Sequence, residues 1–173
     1  MSAADTLERP DPDLLEWLAG HGVEYEIHEH DRAFTARATA KAEGVDPRTF
    51  AKVVGLSVHG GRDVLVVLDA TDRLDLRKAA QVFGGSDVRL LTEAEMHDLA
   101  PACEVGAVPP VGSLLGLATY ADYAVRDDPE ISFNAGSHRF SARVERAAWE
   151  HASGVVYADL AADTETGPAW SRS

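Results

Sequence analysis

The sequence lacks features that several large classes of protein require. With a single cysteine, Cys103, among 173 residues, the chain has no intrachain disulfide and does not fit a secreted disulfide scaffold. No apolar run approaches the roughly 18 residues that a membrane helix needs, and the first residues lack the basic start and apolar stretch of a signal peptide. These absences predict a cytoplasmic protein with no membrane partner.

Nucleotide and metal motifs are also missing. The sequence contains no GxGxxG, no GxxxxGK[ST], no CxxC and no HExxH. His28 and His30 share a face of a predicted strand at a spacing compatible with metal ligation, but no third ligand has supporting spacing. Solvated or hydrogen-bonded histidines are the favoured alternative. We therefore expect no metal and no cofactor.

Basic residues are scarce, because 16 Lys and Arg face 29 Asp and Glu and the formal net charge is −13. Such a charge argues against a protein that coats DNA or RNA, since phosphate binding depends on Lys and Arg. The charge is uneven, however, and residues 32–52 carry a local excess of three positive charges. This basic stretch contains Arg32, Arg37, Lys41, Arg48 and Lys52. It is either the solvated face of a helix or a confined site for a phosphate-bearing end.

Helices and strands are mixed without strict βαβ alternation, which predicts one domain of mixed α/β or α+β class. Capping residues predict four helices: one that Asp11 caps and Pro12 starts, one capped by Thr35, one capped by Asp75 with Leu76 inward, and one with a capping box at Thr92. A fifth helix is expected over 145–151. The expected strands are 25–30, a central hairpin over 50–59 and 63–70, and 88–91, 114–120, 122–126, 130–136 and 139–144. We divide the chain into an N-terminal helix in residues 1–24, a main domain over 25–158 and a flexible tail over 159–173.

Lys52 lies one residue into the most apolar hairpin, on the same strand face as Val54 and Leu56. An ammonium on such a face is costly to bury unless an anionic or strongly polar group meets it. The alternative is that Lys52 begins the strand and extends its head to water.

Two further segments combine rigid backbone with polar groups. Two glycines bracket two prolines in residues 106–112, so this loop is either a rigid connector or a place where backbone groups approach a ligand. In residues 133–138 an apolar strand ends in Asn134, Gly136, Ser137 and His138, which suit an ordinary turn or the hydrogen bonding of an ester carbonyl.

Four segments follow one another in a known order: residues 29–35 (EHDRAFT), 51–78 (AKVVGLSV to RLDLRK), 104–112 (EVGAVPPVG) and 131–138 (ISFNAGSH). In order and spacing they resemble the YbaK/prolyl-tRNA-synthetase-associated editing domains, the bacterial trans-editing aminoacyl-tRNA deacylases. The resemblance covers roughly residues 25–150. Its most specific parts are a lysine in the first strand of the hairpin, here Lys52, and a GxxxP loop, here residues 106–110. Asp69 departs from the pattern, because many relatives have proline there.

The resemblance implies a single domain with a curved, mostly antiparallel sheet around a pocket. It implies hydrolysis of the ester that joins a wrong, small amino acid to tRNA, commonly proline tRNA, without a metal or a covalent intermediate. Lys52, Gly106 and Pro110 would act at the reacting group. Substrate binding would involve His30, Thr35, Ala107, Val108, Pro109, Gly112, Asn134, Gly136, Ser137 and His138. The general base stays open between a substrate group and His138.

The expected partner is the acceptor end of aminoacyl-tRNA, with an aminoacyl-tRNA synthetase as a possible second partner. The alternative is a non-catalytic module of the same fold that binds aminoacyl-tRNA or a synthetase.

Overall fold

The computed structural model describes residues 9–59, 62–85 and 87–163. The strands are β1 (Tyr25–Glu29), β2 (Phe50–Val58), β3 (Arg62–Asp69), β4 (Val88–Leu90), β5 (Ala118–Asp122), β6 (Glu130–Ser137), β7 (Phe140–Glu145) and β8 (Val156–Ala158). The helices are α1 (Pro12–Gly20), α2 (Ala36–Glu43), α3 (Leu76–Val82), α4 (Glu93–Leu99), α5 (Tyr123–Arg126) and α6 (Arg146–Ser153), with 3₁₀ turns at Pro47–Thr49 and Gly112–Leu115.

All of these strands join one mixed sheet in the order β1-β7-β6-β2-β3-β5-β8, and β4 adds to β2. The pairs β1–β7, β6–β7, β2–β3 and β2–β4 are antiparallel, whereas β2–β6, β3–β5 and β5–β8 are parallel. The predicted mixed α/β single domain is confirmed. None of the helices in the described residues is long and apolar enough to cross a membrane.

The helix starts follow the predicted capping chemistry. Asp11 accepts from the Asp13 N–H at the start of α1, and Thr35 accepts from Ala38 N–H at the start of α2. At α4 the side chains of Thr92 and Glu95 form the predicted capping box. Each cap satisfies backbone donors that the first turn of a helix leaves unpaired.

Four predictions about the elements are wrong. The strand predicted over 114–120 begins only at Ala118, because Gly112–Leu115 form a 3₁₀ turn. Residues 122–126 do not form a separate strand, because β5 ends at Asp122, whose side chain accepts from Ala124 N–H and starts the short helix α5. Leu76 is 41% exposed instead of facing inward. The flexible tail does not begin at residue 159, because Leu160 is fully buried and its N–H donates to Asp122 at 2.9 Å. Residues 164–173 of the predicted tail lie outside the described residues.

The sheet has an apolar cluster on each face. On one face, α1 and α6 pack Leu14, Leu18 and Trp149 against the sheet. On the other, α3 covers one cluster that includes Leu56, and α2 covers a smaller one around Phe50. These two clusters lie at opposite ends of the same face of β2, and the residues between them hold the candidate site.

Candidate functional site

One edge of β2 changes its partner part-way along the strand. β6 pairs with β2 at Phe50 and Ala51, whereas β4 pairs with it at residues 56–58. Just after β4, the Leu91 N–H donates to the Gly55 carbonyl at 2.9 Å. Neither register includes residues 52–54, so in the described part of the chain no strand pairs with them along this edge. The sheet therefore has an opening at Lys52.

The Lys52 side chain lies on the same face of β2 as Phe50, between the clusters beneath α2 and α3. It is half-buried and makes no hydrogen bond or ion pair with any described residue. Burial lowers the pKa of Lys52, Asp72 raises it, and the positive charges of Arg37 and Arg73 lower it. A partly desolvated ammonium without a direct partner favours a site for a polar or anionic group.

An apolar cavity of about 200 Å³ lies beside this opening. It is smaller than the roughly 300–1,000 Å³ of sites for drug-sized ligands, so it suits a small group. Gly55 lets two side chains of the cavity wall pack directly against β2, because a Cβ there would overlap Met96 Sδ and Leu91 Cδ1. The lining residues are Val53, Val54, Gly55, Leu90, Leu91, Glu93, Met96, Val105, Gly106 and Val108.

The GxxxP loop begins with a tight turn that is tied to β6. The Ala107 N–H donates to the Glu104 carbonyl at 3.0 Å, and Gly106 has φ +83°, the conformation that a type II turn requires at its third position. Glu104 N–H donates to the Gly136 carbonyl at 2.8 Å, and Gly136 N–H donates to the Ala107 carbonyl at 2.9 Å. These bonds place Gly106 at the cavity.

His138 holds the same turn through a side-chain contact. Its Nε2 lies 2.7 Å from the Val105 carbonyl oxygen, and its ring centroid lies 5.0 Å from that of Phe34. His138 is 4% exposed, whereas Phe34 is 68% exposed. The turn thus has a buried imidazole beneath it and a solvent-facing aromatic ring next to that imidazole.

A largely buried carboxylate joins three segments around the turn. Glu104 Oε2 accepts from Arg32 Nη1 at 2.6 Å, and its Oε1 accepts from Ser137 Oγ at 3.4 Å. Because Arg32 precedes α2 and Ser137 ends β6, Glu104 links both to the loop. A charge-assisted bond of this kind is stronger than a neutral one.

The second half of the loop is anchored in the core. Trp149 Nε1 donates to the Pro110 carbonyl at 2.8 Å, and Gly112 N–H donates to Thr119 Oγ1 at 2.8 Å. Pro109, Pro110 and Gly112 are all buried. The loop is therefore held at both ends, by the core at Pro110 and Gly112 and by β6 and His138 at the cavity.

Comparisons with known proteins agree with this arrangement. The family model described as "Aminoacyl-tRNA editing domain" matches residues 30–151. The chain belongs to the aminoacyl-tRNA editing domain family. Over 127 residues the chain is 29% identical to the "Multifunctional Ser/Thr-tRNA deacylase ProXp-y" of Escherichia coli strain K12, covering 71% of this chain and 75% of that protein.

Solved structures share the fold of this editing domain. A crystal structure of a proposed trans-editing enzyme for prolyl tRNA synthetase has a TM-score of 0.75 and 24% identity, over 94% of this chain and 98% of that chain. The crystal structure of a hypothetical protein has a TM-score of 0.78 and 22% identity, over 86% of this chain and 99% of that chain. At these identities the likeness supports the fold alone.

The editing domain gathers most of the predicted site residues at one place. Hydrogen bonds link Gly136 to Ala107, and His138 to Val105, the neighbour of Gly106. Ser137 is linked to the same turn through Glu104. Val108 lines the cavity beside them. Lys52 lies on the opposite face of β2 from Val53, so it reaches the opening from the other side of the sheet.

Three predicted residues stand farther from the turn. Thr35 caps α2 and is exposed, and the His30 Nδ1 donates to the Asp31 carbonyl at 2.8 Å. Asn134 is buried, and its Oδ1 has no hydrogen-bond partner among the described residues. Because Ala51 and Phe133 pair, Asn134 is the next β6 residue toward Lys52.

Sequence reasoning missed Phe34, Glu104 and Met96 as parts of the site, and it included Arg32 only as one charge of the basic stretch. Phe34 and Arg32 stand in residues 29–35, which carry part of the family resemblance, so a signal for them existed. Glu104 and Arg32 are 72 residues apart in the chain, and no local pattern predicts that contact.

Asp69, which departs from the family pattern, ends β3 opposite Ala51. It is 6% exposed, and burial together with a hydrogen bond to Asp128 raises the pKa of Asp69 to about 9. Burial also raises the pKa of Asp128. The two carboxyl groups therefore hold a proton between them, one strand residue from the register partner of Lys52.

Cys103 and the histidines show no metal arrangement in the described residues, where no group of three or more His, Cys, Asp or Glu side chains could hold an ion. Cys103 is buried, and burial raises the pKa of its thiol to about 12. A thiol with so high a pKa is a poor nucleophile.

Proposed function

We propose that this editing domain hydrolyses the ester that joins a small amino acid to the 3′ end of a tRNA. The observation that carries the proposal is the opening in the sheet at residues 52–54. Lys52 stands on one side of this opening, and the small apolar cavity beneath the Gly106 turn stands on the other. An aminoacyl group entering the cavity would leave its ester carbonyl beside the turn.

The site can promote hydrolysis by positioning and electrostatics. An aminoacyl ester is already activated, so orienting water and stabilising the developing oxyanion supply much of the acceleration. The Gly106 N–H has no hydrogen-bond partner among the described residues and is a donor for that oxygen. Lys52 would stabilise negative charge on a phosphate or ester oxygen. We propose no metal and no covalent intermediate.

Exposed groups around the opening are placed to contact the end of the tRNA. The exposed ring of Phe34 is placed to stack on the terminal base, a contact that tolerates any base and contributes about 1–3 kcal/mol. Arg37 and Lys41 line a cleft of about 500 Å³ on α2 and would contact phosphates. A synthetase partner and a cytoplasmic location remain predictions of the sequence.

The amino acid is proposed from the size and polarity of the cavity. Seven of its ten lining residues are Val, Leu or Met, and about 200 Å³ suits side chains such as those of alanine, serine and threonine. The name of the E. coli relative specifies serine and threonine. Proline tRNA is the proposed carrier, because a fold neighbour is described as acting for prolyl tRNA synthetase.

The test is a deacylation assay on a panel of tRNAs charged with small and large amino acids. We expect faster hydrolysis of the small members than the buffer rate, and unchanged rates after treatment with a chelator. If every member is hydrolysed at the buffer rate but still binds the protein, the alternative of a non-catalytic binding module replaces the enzyme. Activity lost on chelation and restored by a metal would overturn the metal-independent mechanism.

A further inference from the structure

His138 is the side chain whose role the proposed function leaves open, and its contacts decide between two roles. Its Nε2 lies 2.7 Å from the Val105 carbonyl oxygen. A carbonyl oxygen only accepts, so Nε2 must carry a proton and donate it. The lone pair of a neutral ring then lies on Nδ1. That atom is buried and has no hydrogen-bond partner among the described residues.

The position of that lone pair does not suit a general base. A base must lie within hydrogen-bond reach of the water or hydroxyl whose proton it takes. The residues that line the cavity include Val105 and Gly106 but not His138. The Phe34 ring packs near the imidazole, with centroids 5.0 Å apart. The free nitrogen of His138 is therefore buried outside the lining of the cavity in which the ester would react.

The bond to Val105 instead controls the peptide group between Val105 and Gly106. In a planar trans peptide the C=O and the next N–H point in opposite directions. A carbonyl held toward His138 therefore directs the Gly106 N–H away from His138, on the side where Gly106 lines the cavity. With φ +83° at Gly106, the turn is of the type II form. The type I form would rotate this central peptide by about half a turn.

We propose that His138 is a positioning residue that locks the Val105–Gly106 peptide, so that the Gly106 N–H points at the carbonyl oxygen of the aminoacyl ester. This inference rests on the proposed function and adds to it the group that aims the donor. Glu104 supports the lock, because its carboxylate bonds to Ser137, next to His138, while its backbone starts the turn.

Two variants separate positioning from base catalysis. His138→Gln keeps an N–H that can donate to Val105, whereas His138→Ala removes it. We expect His138→Ala to lower kcat by about 100-fold, the scale of losing one oxyanion donor, with less than about a threefold change in KM. His138→Gln should recover at least about tenfold of that loss.

All active forms should keep the same shape of pH profile from about pH 5.5 to 8, where a histidine base would titrate. His151→Gln, at an exposed position of α6, is the control.

Equal loss in both variants, together with a flattened pH profile, would identify His138 as the base and overturn the proposal. A second measurement does not depend on turnover: the orientation of the Val105–Gly106 peptide in crystals of His138→Ala. The proposal requires this peptide to rotate or become disordered, and an unchanged orientation would overturn it. If the wild-type protein hydrolyses no aminoacyl-tRNA, the proposed function fails, and the crystal measurement still decides whether His138 locks the turn.

Discussion

At the scale of single residues, position 106 requires a glycine because of its backbone conformation, not because there is too little space for a side chain. A Cβ at Gly106 would lie 3.5 Å from His138 Cε1, which is an ordinary contact, but φ +83° disfavours any side chain. Gly106→Ala should lower the free energy of unfolding by only about 1–2 kcal/mol. It should lower kcat for deacylation by about 100-fold or more, because relief of the strain rotates the peptide that carries the donor.

The matched control for this glycine is Gly116→Ala. Gly116 has φ +75° with nothing within 4 Å of its Cβ position, and it lies away from the cavity beneath the Gly106 turn. Chemical denaturation should give similar losses of stability for the two variants, and only Gly106→Ala should lose activity. Full activity in Gly106→Ala would show that the conformation of the turn has no part in the reaction.

Individual site residues were predictable where their type conflicts with their surroundings. A lysine in an apolar hairpin and a loop of two glycines and two prolines both stand out in the sequence. Glu104 does not stand out, because a glutamate in a loop is normally solvated and only the fold brings it to Arg32. Asp69 was noted as a departure from the family, but its burial next to Asp128 required the three-dimensional structure.

At the scale of secondary-structure elements, α4 sets one wall of the cavity through Met96. Met96→Ala should enlarge the cavity and shift the preference toward larger amino acids. One methylene is worth about 1–3 kcal/mol in such a pocket, so kcat/KM for a larger aminoacyl-tRNA should rise by about tenfold relative to a small one. Competition assays on paired substrates measure this ratio. His97→Ala, on the exposed face of α4, should leave it unchanged, and an unchanged ratio in Met96→Ala would place the amino acid elsewhere.

Charge reversal on the helix α2 tests whether the basic stretch contacts tRNA. Arg37→Glu with Lys41→Glu should weaken tRNA binding about tenfold at low salt and make the remaining affinity less salt-dependent, since fewer counterions are released. Arg77→Glu is the control, because its side chain is 94% exposed on α3 and away from the α2 cleft. Equal affinity of the double variant and the wild type across a salt titration would remove α2 from the tRNA contact.

Local patterns predicted the elements well where capping and alternation are strong. Asp11, Thr35 and Thr92 each mark a helix start, and the central hairpin follows from its two apolar strands. Residues 122–126 were misassigned, because alternation over five residues does not reveal that the Asp122 side chain caps a helical turn. The strand β8 was missed, because its three residues are recognisable only through their pairing with β5.

At the scale of the whole molecule, the proton held by Asp69 and Asp128 makes stability depend on pH. The pKa of Asp69 is about 9 in the fold and near 4 when the chain is unfolded, so between these values the folded state binds more protons. The free energy of unfolding should therefore fall as the pH rises from about 4 to 9. Asp69→Asn should remove most of this dependence and stabilise the protein at pH 8 by about 1–3 kcal/mol. Chemical denaturation of the wild type and Asp69→Asn at pH 5 and pH 8 measures how far the free energy of unfolding changes between the two pH values. An equal change in both proteins would contradict this prediction.

The net charge of −13 is compatible with tRNA binding, because in the folded molecule positive charge is concentrated at one place. As a bulk property it argues against nucleic-acid binding, but Arg37 and Lys41 share one cleft on α2. A protein that inspects only the 3′ end of a tRNA needs positive charge at the site alone. The account therefore predicts weak, salt-sensitive and short-lived contact with tRNA.

The central claim is that the opening at Lys52 is where an aminoacyl ester is hydrolysed. The most direct measurement is the single-turnover rate of deacylation of proline tRNA mischarged with serine or threonine, by the wild type, Lys52→Ala and Lys78→Ala. Lys78 is a matched lysine that pairs with Asp159 and Asp163 away from the site. We predict that the wild type and Lys78→Ala exceed the buffer rate by at least about 100-fold and that Lys52→Ala loses most of this acceleration. Equal rates in the wild type and Lys52→Ala would contradict the account.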